Sequence, residues 1–214
     1  MSLRALAKVR TFSDVVLFGN LFPSLSYVEK LLKGCDSAVD IGFHGSGWLY
    51  LVPFAGQKVR NDVWEATLRQ SGGGMHASYT LGDILNPALT PGCVDAALCM
   101  DVIEHFPKAD SKAVLEFIES LARRIVIIGI PNGFLEELSE DGDPLHLCGW
   151  DAAELRAQGF EVHGYMGLKI LRGAFAKVWR RPRIFWWLVS KLCEPYVWNH
   201  PDRAFSLLAV KKKK

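Results

Sequence analysis

The residues best suited to chemistry begin at 39–47, where the chain reads VDIGFHGSG. An apolar run there includes Asp40 and is followed by Gly42, Gly45 and Gly47. Glycine lets the backbone turn sharply and approach a ligand, because no Cβ atom stands in the way. A strand that feeds such a turn, with a helix behind it, predicts a nucleotide-sized cleft. By itself, however, a glycine turn is more often only a turn.

A second group of candidate residues ends another apolar run at 95–105, which reads DAALCMDVIEH. Histidine titrates in the range that is useful for proton removal, so His105 and His146 are the candidate catalytic bases. His105 is also interpretable as a hydrogen-bonded helix-cap or loop residue, and His146 as a structural clamp. Glu104 either orients His105 or pairs with a lysine. The spacing of His, Cys and Asp predicts no metal site.

Two further acids follow the glycine turn. Asp62 lies twenty-two residues after Asp40, which suits an acid that ends the second strand and binds a ribose. Its alternative role is a helix N-cap. Asp83, which follows Gly82, is either a ligand-binding acid or a turn residue.

The composition is that of a globular protein, with 50% hydrophobic and 22% charged residues. The formal net charge is +2, but the body carries about −2 once Lys211 to Lys214 are set aside, so no nucleic-acid partner is expected. The five cysteines are scattered, which favours neither a disulfide framework nor a zinc site. No apolar run is long enough to span a bilayer. We therefore expect a cytoplasmic protein, with membrane association as an open alternative.

Short apolar runs alternate with helix-like segments. Predicted strands lie at 38–42, 58–61, 76–79, 94–100, 124–130, 160–165 and 205–210, and predicted helices at 13–33, 48–54, 63–70, 111–121 and 151–158. The run IVII at 125–128 does not alternate between faces, as is typical of a parallel strand buried on both sides. This order predicts an α/β fold with a Rossmann-like, doubly wound, mostly parallel sheet and helices on both faces.

We expect a single domain over 1–214, with a helical lead-in at 1–34 and an insert rich in Arg and Trp at 167–204 before the last strand. Within this insert, 180–189 reads RRPRIFWWLV. Aromatic residues on such an insert are more often part of the core, which favours a cover over the substrate pocket with Trp186 and Trp187 packed in the core. The alternative is peripheral membrane contact through 180–198, since basic residues lie beside the tryptophans. The terminal lysines either attract anionic lipid or form a solvated tail.

Taken together, the two motifs resemble those of class I S-adenosylmethionine-dependent methyltransferases, over roughly residues 36–165. The residues that carry the resemblance are Asp40, Gly42, Gly45, Gly47, Asp62, Gly82, Asp83, Asp101, Val102, Ile103, Glu104, His105, Pro131 and Asn132. The segment HLCGW at 146–150, ahead of ELRAQGF at 154–160, resembles a bacterial and archaeal branch of the family. The resemblance implies a last strand that is antiparallel and S-adenosylmethionine as the cofactor.

The resemblance also implies roles for individual residues. Gly42, Gly45 and Gly47 shape the turn, and Asp40 lies near the methionyl ammonium group. Asp62 binds the ribose, Asp83 accepts from the adenine amino group, and Met100 or Asp101 flanks the cofactor. The expected activity is methyl transfer to a small molecule or to a sugar- or lipid-linked acceptor.

Two departures from the family pattern keep alternatives open. The turn is one residue longer than usual, with His44 in the insertion, and Arg60 and Asn61 replace small apolar residues before Asp62. A non-catalytic protein of the same fold that binds or regulates a partner is therefore a second hypothesis. A nicotinamide-dependent oxidoreductase is a third, disfavoured because the glycine spacing differs from its fingerprint.

Overall fold

The computed structural model of the chain describes residues 23–42, 48–62, 78–81, 89–139 and 141–213, and only the backbone at 50, 60–62 and 78–81. The predicted helix at 63–70 and the predicted lead-in before Pro23 lie outside these residues. So do Gly45, Gly47 and Asp83.

Seven strands in the described part of the chain form one sheet. They are β1 (Ser37–Ile41), β2 (Gln57–Asp62), β3 (Ser78–Leu81), β4 (Val94–Met100), β5 (Ala122–Pro131), β6 (Glu161–Leu168) and β7 (Ala204–Lys212). Their order across the sheet is β3-β2-β1-β4-β5-β7-β6. The first five strands are mutually parallel, and β7 runs antiparallel to both β5 and β6. The predicted fold class, including the antiparallel last strand, is confirmed.

Helices connect the strands. They are α1 (Pro23–Leu32), α2 (Trp48–Leu51), α3 (Lys108–Leu121), α4 (Ala152–Ala157), α5 (Arg183–Leu192) and α6 (Glu194–Asn199). Single 3-10 turns span Ile103–His105, Lys169–Leu171, Ala174–Ala176 and Pro201–Arg203. Helix α2 is shorter than predicted because Pro53 disfavours helical geometry in the residue before it. Asp151 and Glu154 form a capping box that begins α4 close to the predicted position.

The hydrophobic core lies on both faces of the sheet, and successive residues of β5 show why. Val126 and Ile128 belong to one buried cluster, while Ile125 and Ile127 belong to the other. Because alternate side chains of a strand point to opposite faces, an unbroken apolar run fills both cores at once.

Asp95 ties together the edge of the sheet at which the parallel strands begin. Its carboxylate accepts hydrogen bonds from the backbone N–H groups of Asp36 and Ser37, at 2.8 and 3.2 Å. The guanidinium of Arg123 donates to it at 2.8 and 3.0 Å. The hydrogen bonds from Arg123, followed by that from Asp36, lower the pKa of Asp95 below its ordinary value.

The lysines near the end of the chain differ from a purely solvated tail. Lys211 lies in β7, and its ammonium group donates to Glu119 at 2.6 Å and to the carbonyl of Gln158 at 2.8 Å. The backbone N–H of Lys213 donates to the carbonyl of Arg124 at 2.7 Å. These contacts make the residues before Lys214 part of the fold.

The insert before the last strand contains α5 and α6, packed beside β6. Helix α5 buries only Ser190 fully, and both Trp186 and Trp187 remain partly exposed, so the predicted burial of these tryptophans in the core is not observed. Among the described residues, no helix is both long and apolar enough to cross a bilayer.

Candidate functional site at the carboxyl edge of the sheet

The candidate residues converge at one edge of the sheet. Strands β1, β2 and β4 are parallel and neighbouring, so their carboxyl ends meet at the same edge. Gly42 follows β1, Asp62 is the last residue of β2, and Asp101 follows β4. The chain leaves β1 towards β2 on one side, whereas β4 lies on the other, which makes this edge a topological switch point. Ligands of open α/β sheets bind at such a crevice.

The glycine turn and the second motif are in direct contact. Gly42 has a φ of +71°, and a Cβ atom built on it would overlap Cγ2 of Val102. Both the backbone conformation and the close approach therefore require glycine at this position. The sequence places these motifs sixty residues apart, and the fold makes Val102 one wall of the turn.

Met100 and Asp101 are held by β5. The Met100 sulfur lies so close to Gly129 that a Cβ atom there would overlap it. Asp101 has a φ of 52°, and its N–H donates to the carbonyl of Gly129 at 2.8 Å. Asp101 keeps an exposed surface, yet desolvation by surrounding protein raises its pKa to about 6; nearby His105 lowers the pKa and Glu137 raises it.

Asp40 is buried near the end of β1. The backbone of Asp62 ends β2, the place that the sequence predicts for a ribose-binding acid. The alternative role as a helix N-cap depends on the residues after Asp62, which lie outside the described part of the chain. The ends of β1 and β4 border the crevice and carry Asp40 and Gly42, and Met100 and Asp101, respectively. Asp62 lies beside them at the end of β2.

The residues after Asp101 form a short 3-10 turn, Ile103–His105, anchored by the buried side chain of Ile103. The carbonyl of Glu104 accepts hydrogen bonds from the N–H groups of Leu147 and Cys148, at 2.8 and 3.1 Å. These bonds join the turn to the segment that contains His146.

His105 and His146 lie next to each other, with ring centroids 5.0 Å apart. Nδ1 of His105 is 2.6 Å from the carbonyl oxygen of Leu145, and Nδ1 of His146 is 2.8 Å from that of Leu135. Because a carbonyl oxygen only accepts, each Nδ1 carries a proton, which leaves Nε2 as the ring atom that can present a lone pair. Both rings are therefore oriented to accept a proton or to bind a cation.

Glu104 plays neither role that its sequence context suggests. Its side chain is 2% exposed, and neither carboxylate oxygen has a hydrogen-bond partner, from His105 or a lysine, in the part of the chain that the structure describes. Burial, then the neighbouring charges of Asp101 and Glu137, raise its pKa well above the ordinary value.

Glu137 also belongs to this cluster, although no sequence motif indicated it. Its Oε2 lies 3.7 Å from Nε2 of His146, and both side chains are largely buried. No motif marks Glu137, because its position depends on the path of the loop after β5. Asn132, which the sequence places in a loop, is held by the fold. Its side-chain amide donates to the carbonyls of Pro201 and Ala204 at 3.0 and 2.9 Å, and so ties the end of β5 to the start of β7.

Solved methyltransferase structures share this fold. A SAM-dependent methyltransferase from Archaeoglobus fulgidus aligns with a TM-score of 0.55 at 14% identity, over 96% of this chain and 99% of that one. One from Mesorhizobium loti aligns with a TM-score of 0.53 at 12% identity, over 89% and 96%. Magnesium protoporphyrin IX methyltransferase from Synechocystis, with bound SAM, aligns with a TM-score of 0.51 at 14% identity, over 89% and 78%.

No protein-family model matches the chain, and no curated protein matches it in sequence. At these identities the structural likeness establishes the fold. The chain therefore has the Rossmann-like fold of S-adenosylmethionine-dependent methyltransferases.

Proposed function

We propose that the chain is an S-adenosylmethionine-dependent methyltransferase. The observation that carries the proposal is the contact between Gly42 and Val102 at the switch point of the sheet. This contact brings the glycine turn and the segment from Asp101 to His105 to one crevice, at the strand ends where Asp40 and Asp62 lie.

The residues present fit this cofactor. Gly42 has the left-handed φ of +71° with which the turn begins, and Gly45 and Gly47 extend the same turn in the sequence. Ionised carboxylates make strong hydrogen bonds to ammonium and hydroxyl donors. We assign Asp40 to the methionyl ammonium group and Asp62 to the ribose hydroxyls.

Asp83, Met100 and Asp101 complete the proposed cofactor site. Asp83 accepts from the adenine amino group, and Met100 and Asp101 flank the cofactor at the end of β4. When bound, S-adenosylmethionine supplies an electrophilic methyl group on a sulfonium.

The chain's own contribution to the reaction is alignment of the acceptor and removal of its proton. Methyl transfer is an in-line displacement, so positioning of the two reactants supplies much of the acceleration. Nε2 of His105, which is exposed at the crevice, accepts the proton of a hydroxyl or amine acceptor. His146 is buried and ties its segment to the carbonyl of Leu135, which suits a positioning role or a second base.

The test is transfer of a labelled methyl group from S-adenosylmethionine to small-molecule and lipid extracts. The wild-type chain is expected to label a discrete species, and His105→Gln to label it at least about 100-fold more slowly. His200→Gln is a matched control, since His200 is exposed and its Nδ1 also bonds a backbone carbonyl, that of Tyr196. Equal rates for wild type and His105→Gln would remove His105 as the base. Failure of the chain to bind the cofactor would favour a non-catalytic, partner-binding role.

We further propose that the insert contacts a membrane surface, which suits a lipid-linked acceptor. Helix α5 presents Ile184, Leu188 and Leu192 outward on one face, and Ile184 is 83% exposed. Exposed apolar side chains beside Arg181 and Arg183 fit an interface of anionic lipid.

Co-sedimentation with vesicles that contain phosphatidylglycerol tests this surface. The double variant Ile184→Glu/Leu188→Glu is expected to lose binding and keep its fold, because both residues are exposed. Lys112→Glu, on exposed α3 surface, changes the net charge by the same amount and is expected to retain binding. Equal sedimentation of both variants would contradict membrane contact through α5.

A further inference from the structure

Three side chains beside the crevice form a cluster that the methyltransferase proposal does not fully use. Glu104, His105 and His146 each offer one potential ligand atom, and these atoms lie within 4.8 Å of one another. The cluster joins the 3-10 turn after β4 to the segment before α4, and His105 and His146 are forty-one residues apart in the chain.

The two imidazoles have the hydrogen bonding that metal-binding histidines require. Metal-ligating histidines donate their other ring N–H to a carbonyl or carboxylate, which fixes the tautomer and the ring orientation. His105 and His146 do so towards the carbonyl oxygens of Leu145 and Leu135. Each therefore keeps an Nε2 lone pair for a cation.

Glu104 provides an independent indication. Its carboxylate is buried, and its two oxygens lack hydrogen-bond partners among the residues that the structure describes. A buried charge is costly unless it is paired or binds a metal ion. Asp101 and Glu137 add negative charge around Glu104, which makes the local excess larger. A cation beside Glu104 would satisfy its oxygens and offset this repulsion.

We propose that Glu104, His105 and His146 bind a divalent first-row transition-metal ion. Imidazole nitrogens with a carboxylate oxygen suit ions such as Zn²⁺ or Mn²⁺. Bonds of roughly 2.0–2.2 Å would bring the ligand atoms, which now lie within 4.8 Å of one another, closer together. Glu137, whose Oε2 lies 3.7 Å from Nε2 of His146, is a further carboxylate within reach.

The metal site would also specify the acceptor of the proposed methyl transfer as a group that bears oxygen. This part of the inference rests on the proposed function. An ion bound here would hold an acceptor hydroxyl and lower its pKa, so that the proton leaves to water. The acceptor oxygen would then bond to the methyl carbon as the carbon–sulfur bond breaks, leaving a thioether. With the ion bound, the imidazoles hold it, and this route replaces the proton removal by His105 that is proposed above for the chain without a metal ion.

Titration of the chelator-treated full chain with Mn²⁺, followed by electron paramagnetic resonance, tests the site, and Zn²⁺ is measured by competition with a chromophoric chelator. We expect one saturable site per chain, and affinities that are at least about 100-fold weaker in Glu104→Gln and His105→Gln. His200→Gln is expected to bind as the wild type does. His105 is exposed, so its variant keeps the measurement interpretable if Glu104→Gln does not fold.

A second readout separates ligation from a structural role. In the metal-free chain, Glu104→Gln is expected to unfold at a temperature no lower than the wild type, because it removes a buried carboxyl group whose ionisation no cation among the described residues offsets. Glu194→Gln is the contrasting control: Glu194 is equally buried, but its charged neighbours are the cations Lys191 and Arg172, so its loss is expected to lower the midpoint.

Absence of saturable Mn²⁺ and Zn²⁺ binding by the wild type, or unchanged binding by both site variants, would overturn the metal site. Binding of S-adenosylmethionine is measured in parallel on the same samples. Cofactor binding without metal binding would refute only this inference, whereas metal binding without cofactor binding would refute the proposed methyltransferase and leave the metal site standing.

Discussion

Replacement of Gly42 by alanine tests whether the glycine turn and the second motif are physically coupled. The left-handed φ of +71° costs an alanine about 1–2 kcal/mol. The new Cβ atom would also lie well under 3.0 Å from Cγ2 of Val102, and such overpacking costs about 1–3 kcal/mol. Gly42→Ala is therefore expected to lower the free energy of unfolding by about 2–5 kcal/mol in urea denaturation.

Two further variants separate the backbone cost from the clash. Gly142 has a φ of +87°, and a Cβ atom there would contact nothing within 4 Å, so Gly142→Ala measures the backbone cost alone, about 1–2 kcal/mol. Val102→Ala removes the clashing methyl groups and by itself costs about 1–2 kcal/mol. In the Val102→Ala background, Gly42→Ala should cost no more than Gly142→Ala does.

The double-mutant cycle gives the coupling between Gly42 and Val102 directly, and we expect about 1–3 kcal/mol. A coupling of zero, or an unfolding cost for Gly42→Ala equal to that of Gly142→Ala, would refute the contact. The proposed convergence of the two motifs would then lose its main support.

Two other predictions concern the frame around the site. Asp95→Asn should lower the free energy of unfolding by about 1–2 kcal/mol at pH 7, because it removes the charged partner of a half-exposed Arg123. The folded pKa of Asp95 is depressed, so the stability difference between wild type and Asp95→Asn should persist above about pH 4, the pKa in the unfolded chain, and disappear at lower pH. Urea midpoints measured across this pH range check it, and a stability difference that does not change with pH would contradict it. Asn132→Ala should cost about 1–3 kcal/mol by leaving buried carbonyls without a donor, whereas Asn199→Ala, at an exposed position, should cost little; similar urea midpoints for both variants would contradict the role of Asn132.

The strands were predictable where burial alone dictates the pattern. Val94–Met100 has the predicted bounds of β4, and the unbroken apolar run in β5 is central because it fills both cores. Edges were harder: the edge strand β6 continues to Leu168, three residues beyond the predicted end at 165, since an edge strand is specified by fewer neighbours.

The candidate site was predictable only in part. Local motifs identified Gly42, Asp101 and His105, because the turn and the strand end are encoded within a few residues. The pairing of His105 with His146, and the position of Glu137, depend on how the loop after β5 folds back. No sequence spacing encodes that path, so the cluster around Glu104 emerges only from the fold.

The most direct test of the central claim is a calorimetric titration of the full chain with S-adenosylmethionine. We expect saturable binding at one site, weakened at least about tenfold by Asp62→Ala, since loss of a charged hydrogen-bond acceptor costs about 1.5–3 kcal/mol. Asp36→Ala, an exposed acid at the opposite edge of the sheet, is expected to bind as the wild type does. No detectable heat of binding at millimolar cofactor would contradict the account.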